Sequence, residues 1–327
     1  MIDQYGRTIE YVRLSVTDRC NLRCRYCMPS GEVQSLPEGA LLSYAEMRRV
    51  AALLAGLGIH KVRLTGGEPL LRPGIIGFVR TLKAIPGIRR VVMTTNGTCL
   101  PELADSLVQA GIDGVNISLD TLEPEAFFSL TGAHALDKVQ AGLRQLLACG
   151  CQDIKLNCVP IQGLNEASLT ALADLARRYP VRVRFIELMP IGCARTAGYQ
   201  GIPLKIVRDT LERTYGPLMP MPRSASDAGP ASYFALAGFR GPIGFIDAIE
   251  HKFCARCNRI RLTADGFLKL CLNSSKGINV RRLLRDGIDN RELRQVVQQA
   301  VYEKPAEHFF GQPGEHPDTR NMYEVGG

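Results

Sequence analysis

Cys20, Cys24 and Cys27 stand at C-x3-C-x2-C spacing within Thr17-Asp18-Arg19-Cys20-Asn21-Leu22-Arg23-Cys24-Arg25-Tyr26-Cys27. Three thiolates on so short a segment can converge on one metal centre. Eleven cysteines in 327 residues would produce this spacing by accident on the order of 1% of the time, so the trio is read as a site. A structural zinc would need a fourth ligand, and no Cys or His lies near enough in sequence to supply it. An iron–sulfur cluster favours soft thiolates, and three of them leave one iron open to a small molecule. A second trio, Cys254, Cys257 and Cys271, has C-x2-C-x13-C spacing, again with no evident fourth ligand. Structural zinc stays an alternative for this second set. Cys99, Cys149, Cys151, Cys158 and Cys193 have no metal-like partners and read as small packing residues. His251, close to Cys254, reads as a surface or supporting residue.

The composition fits a metal-bearing enzyme better than a disulfide scaffold. The chain has 46% hydrophobic and 22% charged residues, ordinary for a globular protein and long enough for about two domains. It contains no apolar run that would span a membrane and no basic-then-apolar leader. A cytoplasmic location follows as an expectation, and there clustered cysteines serve metals or catalysis. Lys plus Arg exceed Asp plus Glu by 40 − 32 = 8. That excess suits an anionic partner such as nucleic acid, nucleotide or phosphate, or simply a solvated basic surface.

These residues must be held by a strand-then-helix rhythm. Alternating, β-branched runs predict strands at 11–16, 61–65, 90–95, 114–119, 154–159 and 181–187. Helices are predicted from the Ser43-Tyr44-Ala45-Glu46 capping box to 57, then at 73–83, 101–109, 136–148, 166–177 and 203–214. Six such units predict an α/β fold with a parallel sheet, an incomplete TIM-type (β/α)6 barrel over residues 1–215. Residues 216–230 are rich in Pro, Met, Ser and Gly and mark a boundary. Short strands at 232–236, 243–246, 260–263 and 267–270, with helices at 280–284 and 291–302, predict a C-terminal α+β domain, 216–327, carrying the second trio. From 306 onward the chain is polar without period.

With Tyr26 just before Cys27, the first trio resembles the signature of the radical S-adenosylmethionine (SAM) enzymes. Thr65-Gly66-Gly67-Glu68-Pro69 resembles their GGEP motif, and Asn116-Ile117-Ser118-Leu119-Asp120 a second SAM-contacting strand. Further segments narrow the likeness: Arg13-Leu14-Ser15-Val16-Thr17-Asp18-Arg19, Thr94-Thr95-Asn96-Gly97, Phe185-Ile186-Glu187-Leu188-Met189-Pro190, Gly241-Pro242-Ile243-Gly244-Phe245-Ile246, Phe253-Cys254-Ala255-Arg256-Cys257-Asn258-Arg259-Ile260-Arg261-Leu262-Thr263 and the final Gly326-Gly327. From about residue 5 to residue 327 the sequence resembles the GTP 3',8-cyclase family of molybdenum cofactor (molybdopterin) biosynthesis. Only the loop at 224–229 matches nothing.

The resemblance implies two [4Fe-4S] clusters, one on Cys20, Cys24 and Cys27 and an auxiliary one on Cys254, Cys257 and Cys271. SAM, bound at the first, would give a 5'-deoxyadenosyl radical that takes the C3' hydrogen of GTP, leading to 3',8-cyclo-7,8-dihydro-GTP. It implies Tyr26, Gly67, Ser118 and Met189 as SAM contacts, with Glu68 as a further hydrogen-bond partner. Arg13, Arg63, Thr94, Lys155, Arg259 and Arg261 would contact GTP, and Gly326 and Gly327 would act in the active site. The implied partners are a second copy of the chain, an electron donor of unknown identity and the cyclic pyranopterin monophosphate synthase that takes the product. Nucleic acid and membrane are not expected partners. Taken alone, an alternating pair such as Arg259 and Arg261 would read as a solvated strand face. A peptide- or RNA-modifying radical SAM enzyme would carry more cysteines in the second domain. A nucleic-acid module would need more stacking residues than 6% aromatics provide.

Overall fold

The computed structural model describes residues 1–29, 35–222, 229–310 and 318–327. Alternating segments form six parallel strands: β1 (Tyr11–Ser15), β2 (Lys61–Thr65), β3 (Arg90–Thr95), β4 (Gly114–Ser118), β5 (Ile154–Cys158) and β6 (Arg182–Ile186). Each pairs in parallel with the next. The helices between them are α1 (Tyr44–Ala55), α2 (Ile75–Lys83), α3 (Leu100–Gln109), α4 (Pro124–Thr131), α5 (Leu136–Ala148) and α6 (Leu169–Arg178). They are followed by α7 (Cys193–Thr196) and α8 (Leu204–Tyr215). The capping box at α1 closes as expected: Ser43 Oγ accepts from the Glu46 N–H at 3.1 Å and Glu46 accepts from the Ser43 N–H at 2.7 Å. Sequence periodicity missed α4, which is only eight residues long and too short to declare a repeat of 3.6.

The C-terminal third builds β7 (Met219–Pro220), β8 (Ser232–Ala235), β9 (Ile243–Ile246), β10 (Arg259–Leu262), β11 (Phe267–Lys269) and β12 (Gly277–Asn279). Helices α9 (Val280–Arg285), α10 (Asn290–Tyr302) and α11 (Met322–Val325) complete it. These strands enter the same sheet as the first six. β10 lies parallel against β1, and β9 parallel against β6. The described residues therefore form one unclosed twelve-stranded sheet, ordered β12-β11-β10-β1-β2-β3-β4-β5-β6-β9-β8-β7. The loop at 224–229 lies outside the described residues except for Gly229. No described helix is long and apolar enough to cross a membrane.

The alternation in each strand separates two environments. Val12, Leu14, Val62, Leu64, Met93, Val115 and Ile117 are fully buried within the apolar core that includes α1, α2, α3 and α5 residues. The intervening positions, among them Tyr11, Arg13, Arg63, Thr94, Asn116 and Lys155, line a cavity on the other face. A parallel sheet covered on both faces would usually be apolar on both, so a strand face this polar marks a site.

Candidate active site

One cavity of about 330 Å³ receives both cysteine trios. At one end, the loop after β1 presents Cys20, Cys24 and Cys27. Its backbone is pinned by Arg23 N–H and Arg25 N–H, which donate to the Thr131 and Leu130 carbonyls at 2.7 and 3.0 Å. The side chain of Asn96, just beyond β3, donates to Asn21 at 2.9 Å and approaches Cys20 Sγ at 3.7 Å. Burial raises the Cys20 thiol above its ordinary value and holds those of Cys24 and Cys27 far above theirs; mutual repulsion adds to the rise in Cys24 and Cys27. Three half-buried thiols cannot all ionise side by side without a cation to compensate them, so the donor set suits a metal. Among the described residues no group of three His, Cys, Asp or Glu side chains comes together tightly enough to grip a single ion.

The strand ends around this trio carry the other expected SAM residues. Gly67, Ser118, Met189 and Tyr26 all line the same cavity. Gly67 lies directly against the loop leading to Cys20: its N–H donates to the Thr17 carbonyl, and the next N–H to that of Arg19, both at 2.8 Å. A Cβ at Gly67 would collide with the Arg19 carbonyl. Gly67→Ala should therefore prise the two loops apart, costing about 1–3 kcal/mol of stability and weakening SAM binding, measurable by thermal unfolding and equilibrium titration. Tyr26 donates to Asp120 at 2.6 Å, and Asp120 also accepts from the Val159 N–H at 2.8 Å. Burial lifts the Asp120 carboxyl to about 6. Glu68 is fully buried, and burial lifts it to about 7. Both its oxygens are taken by the chain: Thr95 Oγ1, Leu70 N–H and Asn96 N–H donate to them at 2.8, 3.0 and 2.6 Å. It braces the loop after β3 rather than reaching toward a ligand.

The opposite end of the cavity is a basin of positive charge. Strand register lines up Arg261, Arg13 and Arg63 across β10, β1 and β2, with Arg259, Tyr11 and Lys61 in the next row. Lys155 on β5 pairs with Arg182 on β6, and Asn157 with Arg184. Among the described residues, nine Lys and Arg side chains line the cavity against one acidic side chain, Asp120 at the far end. Burial and mutual repulsion act on Arg13 and Arg261. Burial, then Arg261 nearby, pulls Arg13 well below its ordinary range; burial and Arg259 bring Arg261 to about 10. Tyr11 is lowered as well: burial would raise it, but Arg63, Arg13 and Lys61 bring it down to about 7. Arg13 Nε is buried with no hydrogen-bond partner among the described residues. Such a concentration of cations is what a polyphosphate would compensate. Arg63 donates to Thr94 Oγ1 at 3.0 Å, so Thr94 orients Arg63 besides facing the cavity.

The second trio flanks this basin. Cys254 opens a single turn of 3-10 helix, and its carbonyl accepts from Arg7 Nη1 at 2.9 Å and from the Cys257 N–H at 3.0 Å. Arg7 also holds the Pro305 and Ala306 carbonyls at 2.6 Å each, so the segment after α10 wraps the trio. That segment brings Lys304 and His308 to the cavity wall. His308 is 7% exposed, and its Nε2 bonds the Ala248 carbonyl at 2.7 Å. Burial would raise Cys257, but Arg259 and Lys304 outweigh it and set the thiol at about 7. His251 is exposed and does not reach the cavity. The chain end enters from the side. Gly326 O accepts from Arg261 Nη1 at 2.6 Å and Arg13 Nη2 at 3.3 Å; Gly327 O accepts from Thr65 Oγ1 at 2.8 Å and also from Arg13.

Seventeen of the eighteen expected site residues line this one cavity, and the eighteenth, Gly326, touches two that do. Sequence reasoning missed Lys61, Arg184, Lys304 and His308. The alternation of Lys61 with Arg63 and of Arg182 with Arg184 was the available signal for the first two. Nothing local marks Lys304 or His308.

Comparison with known proteins agrees with this geometry. Residues 14–176 match the Radical SAM superfamily, and residues 181–310 match Molybdenum Cofactor Synthesis C. The chain is 44% identical over 327 residues to GTP 3',8-cyclase of Moorella thermoacetica, and 42% identical over 328 residues to that of Pelotomaculum thermopropionicum. Both alignments cover 100% of each chain. The chain belongs to the GTP 3',8-cyclase family. Streptococcus suis SuiB bound to S-adenosylmethionine shares the fold at TM-score 0.60 and 14% identity, covering 88% of this chain and 68% of that one. A GTP 3',8-cyclase uses SAM and iron–sulfur clusters, and six thiols around one cavity are a donor set that fits them.

Proposed function

We propose that this cavity performs the family reaction with its two ends in separate roles: SAM at the first trio, and GTP between the cationic basin and the second trio. The protein is a radical SAM enzyme that converts GTP to 3',8-cyclo-7,8-dihydro-GTP, the first step of molybdenum cofactor biosynthesis. The observation that carries the arrangement is the single cavity lined by both trios and by nine cationic side chains. Cys20, Cys24 and Cys27 would hold the first [4Fe-4S] cluster, and Cys254, Cys257 and Cys271 the second. When bound, the first cluster and SAM supply one-electron cleavage to a hydrogen-abstracting 5'-deoxyadenosyl radical.

The chain's own work is orientation and exclusion of water. Arg13, Arg63, Lys155, Arg259 and Arg261 would grip the triphosphate, with Thr94 setting the direction of Arg63. Tyr26, Gly67, Ser118 and Met189 would seat SAM. Gly326 and Gly327, held by Arg13 and Arg261, would close the cavity over the substrate. In this division residues 1–215 form an incomplete (β/α)6 barrel. Residues 216–327 form a C-terminal α+β unit that supplies the auxiliary cluster and the tail. The protein would act in the cytoplasm as a homodimer, take electrons from a donor yet to be identified, and pass its product to the cyclic pyranopterin monophosphate synthase.

Anaerobically reconstituted protein should hold about eight irons, two clusters of four. With SAM, reductant and GTP it should yield 5'-deoxyadenosine and cyclised nucleotide. SAM cleavage indifferent to GTP would overturn the substrate assignment. Cys271→Ala should keep about four irons and the ability to cleave SAM, yet lose GTP turnover. If GTP binding and turnover survive it, the second cluster is not the substrate site.

A further inference from the structure

The cationic basin has a carboxylate behind its wall. Asp153 immediately precedes β5, two residues before Lys155, so the two side chains share a face. Three cations from three strands meet on it. Lys155 Nζ contacts Oδ1, Arg90 Nη2 donates to Oδ2 at 2.7 Å, and Arg182 Nη1 approaches Oδ1 at 3.4 Å. Lys155 and Arg90 line the cavity, whereas Asp153 does not. Its side chain is 17% exposed, so solvent screens this cluster little.

We propose that Asp153 is a positioning residue for the substrate's phosphates: it clamps Lys155 and Arg90 at the cavity wall and keeps Lys155 an ammonium among its cationic neighbours. This rests on the reading that Lys155 contacts GTP. The neighbours are adverse to a charged lysine. Arg184 and Arg182 on β6 face it, Arg90 on β3 shares its carboxylate, Lys61 on β2 lies near that carboxylate, and among the described residues Tyr233 on β8 and the Cys151 thiol are further titratable groups in the same surroundings. Burial, Arg184 and Arg182 bring Lys155 down to about 7 even with the Asp153 carboxylate opposing them. Asp153 itself stays ionised: burial would raise it, but Lys155, Arg182 and Arg90 hold it at about 2.

The sign follows directly. A lysine titrating near neutrality binds phosphate well below that pH and loses its charge above it. Without Asp153 the loss moves to lower pH. A naive charge count predicts the opposite, because removing an anion from a phosphate site should tighten binding at every pH.

The test is GTP saturation kinetics of reconstituted Asp153→Asn enzyme from about pH 6 to about pH 8.5, with Asp153→Glu and Lys155→Met beside it. The wild-type KM for GTP should climb as pH passes about 7. In Asp153→Asn that climb should begin at lower pH, giving a KM about tenfold higher at pH 8 and little changed at pH 6, with kcat unaltered. Asp153→Glu should restore the profile. A KM lower than or equal to wild type throughout, or a rise of the same size at every pH, overturns the proposal. If Lys155→Met leaves the KM for GTP unchanged, the underlying placement of GTP on Lys155 fails instead. A fall in kcat with an unmoved KM would likewise overturn the positioning role. Thermal unfolding and iron content, which a clamp on phosphate binding leaves alone, separate these results from loss of fold.

Discussion

Cys24→Ala should abolish SAM cleavage while leaving a folded protein with about half its iron, four of eight. The reason is cumulative. Burial, and then Cys27, Asp120 and Cys20 around it, hold the Cys24 thiol well above its ordinary value. Only a bound cluster can offset that cost, and two remaining thiols cannot hold a cluster that must also leave an iron for SAM. Cluster assembly at the second trio draws on other elements, the turn at Cys254 and the end of β11, and should proceed. The readouts are iron content, the charge-transfer absorbance of the clusters, and 5'-deoxyadenosine formed with and without GTP. Retention of 5'-deoxyadenosine formation at more than a trace of the wild-type rate would remove the first trio from its assigned role.

Gly326→Val should leave SAM cleavage in place and depress cyclisation by about two orders of magnitude. Gly326 has φ +78, a left-handed conformation that costs a β-branched residue on the order of 1–2 kcal/mol. A Cβ there would also sit 3.0 Å from Thr65 Cγ2 and 3.1 Å from Ser15 Cβ, on two neighbouring strands that cannot both retreat. The tail would have to withdraw, releasing its bonds to Arg261, Arg13 and Thr65. A combined loss of roughly 3 kcal/mol corresponds to about a hundredfold in rate. The tail is anchored independently upstream, where buried Lys269 meets Asp318 and Asn321 accepts from the Cys193 N–H at 2.9 Å. The defect should therefore be confined to the last residues. The measurement is the ratio of cyclised nucleotide to 5'-deoxyadenosine; an unchanged ratio would mean the tail is only a tether.

The Cys193 contact also shows where local reading stops. Cys193 looks like packing in the sequence, and in the fold it is buried, its backbone serving as the dock for the tail. Helix α11, four residues in a polar stretch, offers no period to detect, yet its Asn321–Glu324 capping box steers the chain end into the cavity. Glu68 is the reverse case: its motif suggests a ligand contact, and its full burial with three donors around it makes it a brace. Asp153 is a single polar residue before a strand until β3 and β6 bring Arg90 and Arg182 to it.

Cysteine spacing, the strand-helix rhythm and the alternation within strands are short-range properties. They sufficed for six parallel strands and both thiolate trios, whereas the arginines were implied by the family resemblance alone. What alternation could not determine is which medium the polar face meets. Arg259-Ile260-Arg261 and Tyr11-Val12-Arg13 have the pattern of strands with one face in water, and only pairing of β10 with β1 and of β9 with β6 encloses that face. Those pairings join segments about 250 and 60 residues apart in the chain. Their selection depends on burying Ile260, Leu262, Phe245 and Phe185 in the common core, a long-range packing gain that leaves no local trace. The same enclosure turns the excess of eight positive charges from a property of the surface into one of a cavity. There, low polarizability and the scarcity of carboxylates give each cation a far larger effect on a bound phosphate than water would allow.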